Sequence, residues 1–102
     1  MLKISDDMQE IINQDNAVVA FTASWCQPCK ALKPQFAKAA VIDKDTPYYV
    51  VDVDKIGSEY LNQYSIQSIP QIFEMNKGLV NKKITGKTSD AILAEMGKTN
   101  AA

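Results

Sequence analysis

Two apolar runs, AVVAF at 17–21 and YYVVDV at 48–53, constrain the fold of this chain more than any other feature. Both have the length of a strand, and neither alternates apolar with polar residues. A strand without alternation is buried on both faces, which places it inside a parallel or mixed sheet covered by helices on either side. The flanking segments agree with such a sheet. LKI at 2–4 reads as a short edge strand. Met8, Ile11 and Ile12 recur at helical spacing and predict a helix over 6–14, with Ser5 as its N-cap.

The rest of the chain continues the alternation. KALKPQFAKAAVI at 30–42 is helical through Leu32, Phe36, Ala39 and Ala40, with Pro34 expected to kink the helix rather than end it. A short helix is expected at 56–64. SIQSIPQIFEM then leads through Pro70 into a third strand, NKG at 76–78 makes a hairpin turn, and LVNKKIT at 79–85 returns antiparallel. The chain closes with an amphipathic helix capped by Thr88 or Ser89. The order β-α-β-α-β-α-β-β-α predicts an α/β fold with a central mixed sheet flanked by helices on both faces, formed by residues 1–102 as one domain.

Composition removes several classes of function. The 11 basic residues, all lysines, and the 12 acidic residues are spread along the chain, so no basic stripe offers itself to nucleic acid. There is no histidine, which excludes Cys-His and Ser-His nucleophile pairs and most catalytic zinc sites. No run approaches the roughly 20 apolar residues that span a bilayer. The N-terminal MLKISDDMQE lacks the apolar stretch of a signal peptide, so a cytoplasmic chain without membrane attachment is expected.

The chemistry concentrates in SWCQPCK at 24–30, which holds the only two cysteines. A structural zinc site needs four Cys or His ligands, and two cysteines without histidine do not supply them; no metal is expected. Two buried cysteines could serve only as small apolar residues. A CxxC between a buried strand and a helix, however, is the pattern of a redox dithiol. Cys26 would stand at the helix start, where free backbone N–H groups and the helix dipole favour thiolate over thiol. Cys29, one turn on, points to the same side from a more buried place. Cys26 would attack a target disulfide and Cys29 would resolve the mixed disulfide, aided by its high effective concentration. Pro28 suits the first turn of a helix.

The chain resembles the thioredoxin family over nearly its full length. WCQPCK is similar to the family's WCGPCK, Pro34 matches the proline in its active-site helix, SIQSIPQI matches the segment carrying its cis-proline, and Gly78 and Gly86 follow at its spacing. The resemblance implies a protein-disulfide reductase of the thioredoxin fold, active in electron transport and cell redox homeostasis. It implies catalysis by Cys26 as nucleophile and Cys29 as resolving thiol, with Gln27 and Pro28 tuning the redox potential. Trp25, Ile69, Pro70, Thr85 and Gly86 would form the substrate-binding surface, with Ile69–Pro70 in the cis form. Asp54 matches an acidic residue able to accept from the Trp25 indole, although a solvated strand-end carboxylate is the equal alternative. No nucleotide motif is present, so no cofactor is expected to bind; electrons would come from NADPH through a thioredoxin reductase. Disulfide-containing proteins and that reductase are the implied partners of a monomer.

Three departures from the family pattern matter. Gln27 replaces a glycine between the cysteines. Ala20 stands where the family has a buried aspartate, six residues before the first cysteine, thought to take the proton of the resolving thiol. Val50 stands where the family has a lysine near that aspartate. Replacing both members of a buried charged pair is physically coherent, because removing only one would strand the other charge. Two other roles remain open: a glutaredoxin-like, oxidase or isomerase activity on the same fold, and a redox-independent binding subunit. Proline before the second cysteine departs from glutaredoxins, and the missing histidine departs from isomerases.

Overall fold

The computed structural model describes residues 2–98, so Met1 and residues 99–102 of the expected domain lie outside the described residues. Five strands form one sheet in the order β1-β3-β2-β4-β5. They are β1 (Leu2–Ile4), β2 (Ala17–Thr22), β3 (Tyr48–Asp52), β4 (Gln71–Asn76) and β5 (Leu79–Ile84). β3 pairs in parallel with β1 and β2, whereas β4 runs antiparallel to both β2 and β5. The two non-alternating runs therefore sit where their composition requires: every residue of β2 is buried, and β3 is buried from Tyr48 to Val51.

The period-two geometry of the strands divides the core into two layers. Val19, Phe21, Tyr49, Val51 and Phe73 face one side with Met8 and Ile11 of α1 (Met8–Ile12), Ile56 of α3 (Val53–Ile56) and Tyr64. Val18, Ala20, Tyr48, Val50 and Ile72 face the other, under α2 (Gln27–Ile42) and α5 (Ser89–Glu95). Helices cover both faces of a mixed sheet, as the strand composition implied. α2 runs through Pro34 without a break.

Several boundaries differ from the sequence reading, the first helix covering Met8–Ile12 rather than 6–14. The first helix is capped by Asp7, whose carboxylate accepts from Glu10 N–H at 3.2 Å. Ser5 stands before the helix: its N–H is still bonded to the Val50 carbonyl at 3.0 Å, which extends the pairing of β1, and its Oγ accepts from Asp7 N–H at 3.1 Å rather than from a helical N–H. The segment expected as one helix over 56–64 is two, α3 and α4 (Ser58–Gln63), divided by Gly57 at φ +93°. Asp52 accepts from Asp54 N–H at 2.9 Å, which ends β3 before Val53 and starts α3. The NKG turn is a two-residue hairpin loop: Asn76 pairs with Leu79, and Lys77 and Gly78 both take positive φ. Thr88 caps α5 by accepting from Ala91 N–H.

Candidate functional site

β2 ends at Thr22, and the chain turns through Ala23–Trp25 into α2. Cys26 is the N-cap of α2, with extended backbone angles of φ −89° and ψ 112°. Its Sγ accepts from the Cys29 N–H at 3.2 Å. The sulfur thus occupies the position usually taken by a capping oxygen, at the positive end of a helix of 16 residues. Pro28 lies in the first turn, where its missing N–H leaves no intrahelical bond unmade. Cys26 and Cys29 form a disulfide with their Cα atoms 5.3 Å apart. Cys26 is 5% exposed and Cys29 fully buried, whereas Gln27 and Pro28 between them are exposed. The pair can hold two electrons as two thiols or release them as a disulfide, and the outer sulfur is the one a target can reach.

The surroundings of the pair come from separated parts of the chain. Trp25 is 66% exposed, and its indole N–H donates to Asp54 Oδ2 at 2.9 Å. That contact decides between the two readings of Asp54: the carboxylate at the start of α3 holds the ring. The Ile69–Pro70 bond is cis, and Ile69 packs against the cluster that contains both cysteines. Trp25, Val53, Asp54, Leu61, Ile66 and Ile69 line an open groove of about 470 Å³ together with Gln67 and Ser68. Pro70, Thr85 and Gly86 do not line it. They lie along the same end of the sheet, because Phe21 pairs with Gln71 and Ile72 pairs with Ile84.

One contact at this end of the sheet has no trace in the sequence. Glu95, near the end of α5, reaches back to the loop after β5. Its carboxylate accepts from Thr85 N–H at 2.9 Å, from the Thr85 hydroxyl at 3.2 Å and from Gly86 N–H at 2.5 Å. The hydrogen bond from Thr85 N–H is the main reason its carboxyl is held below the usual glutamate value. A glutamate on a helix carries no local signal for such a contact.

Ala20 and Val50 are directly paired across β2 and β3, and both are buried. The two positions singled out by the family resemblance are therefore true neighbours, and they meet as two apolar side chains. They belong to the layer under α2, while Cys29 packs with the opposite layer.

Comparison with known proteins agrees with this geometry. The chain is 37% identical over 78 residues to the thioredoxin of Mycoplasmoides gallisepticum, covering 76% of this chain and 77% of that protein. It is 34% identical over 83 residues to Thioredoxin-1 of Schizosaccharomyces pombe, covering 80% of each. The solution structure of oxidised thioredoxin from Plasmodium falciparum superimposes with a TM-score of 0.78 at 25% identity, covering 94% of both chains. The family model for thioredoxin matches residues 2–98. With a cysteine pair joined at a helix start, a cis-proline strand beside it and this match across the described residues, the chain belongs to the thioredoxin family of dithiol–disulfide oxidoreductases.

Proposed function

We propose that the chain acts as a single thioredoxin domain that reduces disulfides of other proteins, with Cys26 as nucleophile and Cys29 as resolving thiol. The observation that carries the assignment is the asymmetry of the pair: Cys26 caps α2 and accepts from Cys29 N–H, while Cys29 is fully enclosed. In the reduced form the Cys26 thiolate attacks one sulfur of a target disulfide. A mixed disulfide forms and the other target sulfur leaves as thiolate, which takes a proton. Cys29 then gives up its proton and attacks Cys26 Sγ, the second target sulfur leaves and takes up a proton, and the Cys26–Cys29 disulfide remains. Two electrons and two protons have passed to the target.

An extended target segment would lie against cis-Pro70 and the backbone of Ile69, with the groove beside Trp25 receiving side chains. Trp25, Ile69, Pro70, Thr85 and Gly86 form the contact surface in this reading, supported by their position at one end of the sheet. Gln27 and Pro28, exposed between the cysteines, tune the potential of the couple. Electrons return from NADPH through a thioredoxin reductase that reduces the disulfide form, and the protein itself carries no cofactor. A cytoplasmic monomer serving cell redox homeostasis and electron transport fits a dithiol that must be kept reduced. Among the described residues, no helix is long and apolar enough to cross a membrane.

The test is insulin reduction coupled to NADPH oxidation by a thioredoxin reductase. Wild type should turn over, Cys26→Ser should be inactive, and Cys29→Ser should accumulate the mixed disulfide. Turnover supported by glutathione alone would favour the glutaredoxin-like role instead. A biological role that survives Cys26→Ser with Cys29→Ser would favour the binding subunit.

A further inference from the structure

We propose that Glu95 is a positioning residue for the target-contact loop Thr85–Gly86. The proposal rests on the reductase reading above and goes beyond it by naming what holds one wall of the contact surface. Continuing the pairing of Ile72 with Ile84 places Thr85 level with Gln71 and Gly86 level with cis-Pro70. The loop therefore flanks the proline on the side away from β2. A loop after an edge strand has no ladder partner of its own. Here α5 supplies one. A single carboxylate takes both loop N–H groups and the Thr85 hydroxyl.

The close approach is built into the backbone as well. A Cβ on Gly86 would come within 2.6 Å of Ala91 Cβ and 2.7 Å of Glu95 Oε2, so only glycine lets the loop lie on α5 at this point. Lys82 of β5 donates to the Glu95 carbonyl, tying the same turn of α5 to the strand that leads into the loop. Three consequences follow for a bound segment. The loop is held in one conformation before binding, which lowers the entropy lost on association. Its two N–H groups and the hydroxyl proton are already taken, so the target cannot recruit them as donors without breaking the clamp. The polar Thr85 is accommodated because Glu95 accepts from its hydroxyl.

The experiment measures insulin reduction with dithiothreitol as electron donor, which removes any dependence on a reductase partner. Wild type, Glu95→Ala, Glu95→Gln and Asp7→Ala are compared, the last being a destabilised control that removes the cap of α1, on the opposite face of the sheet from α5. Backbone amide exchange of Thr85 and Gly86 is followed by NMR. Glu95→Ala is expected to raise KM about fivefold with kcat within about twofold, the size of one lost charge-assisted hydrogen bond discounted for exposure. Glu95→Gln, which keeps one acceptor oxygen, should recover part of the loss. Amide exchange at both residues should quicken about tenfold or more in Glu95→Ala. Asp7→Ala should leave KM and both amides unchanged.

Unchanged exchange in Glu95→Ala overturns the clamp. Faster exchange with an unchanged KM overturns the link to target binding. A KM raised equally by Asp7→Ala overturns it too, since general destabilisation would then explain the effect. Wild type that reduces no insulin refutes the reductase reading and the proposal with it.

Discussion

Asp43 should dominate the acid stability of this fold. It follows α2 directly and is 5% exposed. Its Oδ2 accepts from the Tyr48 hydroxyl at 2.9 Å and its Oδ1 from Lys98 Nζ at 2.8 Å, while Lys98 also donates to Thr46 Oγ1 at 2.8 Å. A carboxylate at a helix C-terminus faces the negative end of the dipole, so the lysine offsets an unfavourable placement as well as pairing the charge. Burial pushes the carboxyl up, but hydrogen bonds from Lys98, Tyr48 and Thr46 outweigh it and hold it below the usual aspartate value. Burial, followed by the bond to Asp43, pushes the Tyr48 phenol far above its ordinary value, so it stays a donor at every working pH.

The magnitude follows from what each substitution leaves behind. A hydrogen bond to a charged group contributes about 1.5–3 kcal/mol. The Lys98 side chain is 39% exposed, so its share falls at the low end. Asp43→Asn keeps one acceptor and turns an amide N–H₂ toward the other donor, for a loss of about 2 kcal/mol. Asp43→Ala leaves the buried Tyr48 hydroxyl with only Met96 Sδ at 3.4 Å, and should lose about 3 kcal/mol. Tyr48→Phe alone should cost about 1–2 kcal/mol and much less when combined with Asp43→Ala, because the two share one bond. Urea unfolding of the oxidised form measures this. With a slope of about 1–2 kcal/mol per molar for this size, the Asp43→Asn midpoint should fall by about 1–2 M at pH 7. A folded value below the unfolded one contributes stability above the unfolded value near 3.8, lost as pH falls through the folded value. Wild type and Asp43→Asn should therefore converge under acid. A midpoint shift under about 0.3 M at pH 7, or a gap that persists unchanged at low pH, would refute the reasoning.

Three further outcomes are expected. Gly97 sits at φ +72° after α5, with Gly97 N–H bonded to Ala94 and Lys98 N–H to Leu93; a Cβ there meets nothing within 4 Å, so Gly97→Ala should cost about 1 kcal/mol in urea unfolding from backbone conformation alone. Asp54→Ala frees the ring of the chain's single tryptophan, so the intrinsic fluorescence should change while stability moves by less than about 0.5 kcal/mol. Ala20→Asp buries a lone carboxylate and should lose about 3–5 kcal/mol in unfolding assays, with Val50→Lys across the strand recovering at least about 1 kcal/mol of it. If a buried carboxylate speeds resolution, that double variant should also reduce insulin faster at neutral pH, and an unchanged or slower rate would count against a proton-accepting role.

The sheet was legible because its signal is local and redundant. AVVAF and YYVVDV declare burial on both faces by themselves, and β2 and β3 occupy the interior of the sheet order. The dithiol was equally legible, since strand, CxxC and helix are contiguous. Errors arose where a long-range bond overrode a local preference. Ser5 is a good capping residue, yet the chain there still pairs with the sheet, so the helix starts only at Met8 and Asp7 caps it. Gly57 was absorbed into one helix because periodicity on either side of it is weak. Glu95 and Thr85 are ten residues apart, Asp43 and Lys98 fifty-five. Such pairs are formed only once α5 docks, and no spacing rule connects them beforehand.

The same reasoning bears on the proton of Cys29. The family resemblance directs attention to position 20, and the pairing of Ala20 with Val50 shows that no charge is lodged there. Among the described residues the single buried carboxylate is Asp43. It follows the far end of α2, fourteen residues beyond Cys29, which at 1.5 Å per residue is about 20 Å away. A fully buried thiol at that distance cannot pass its proton to it directly. In the mixed disulfide the nearest base with a rising proton affinity is the departing sulfur itself, and beyond it the solvent. The apolar pair and the clamped acid at the opposite end thus belong to one arrangement: the interior next to the dithiol is left uncharged, and the one buried charge is placed where it stabilises the docking of α5 without acting on the cysteines.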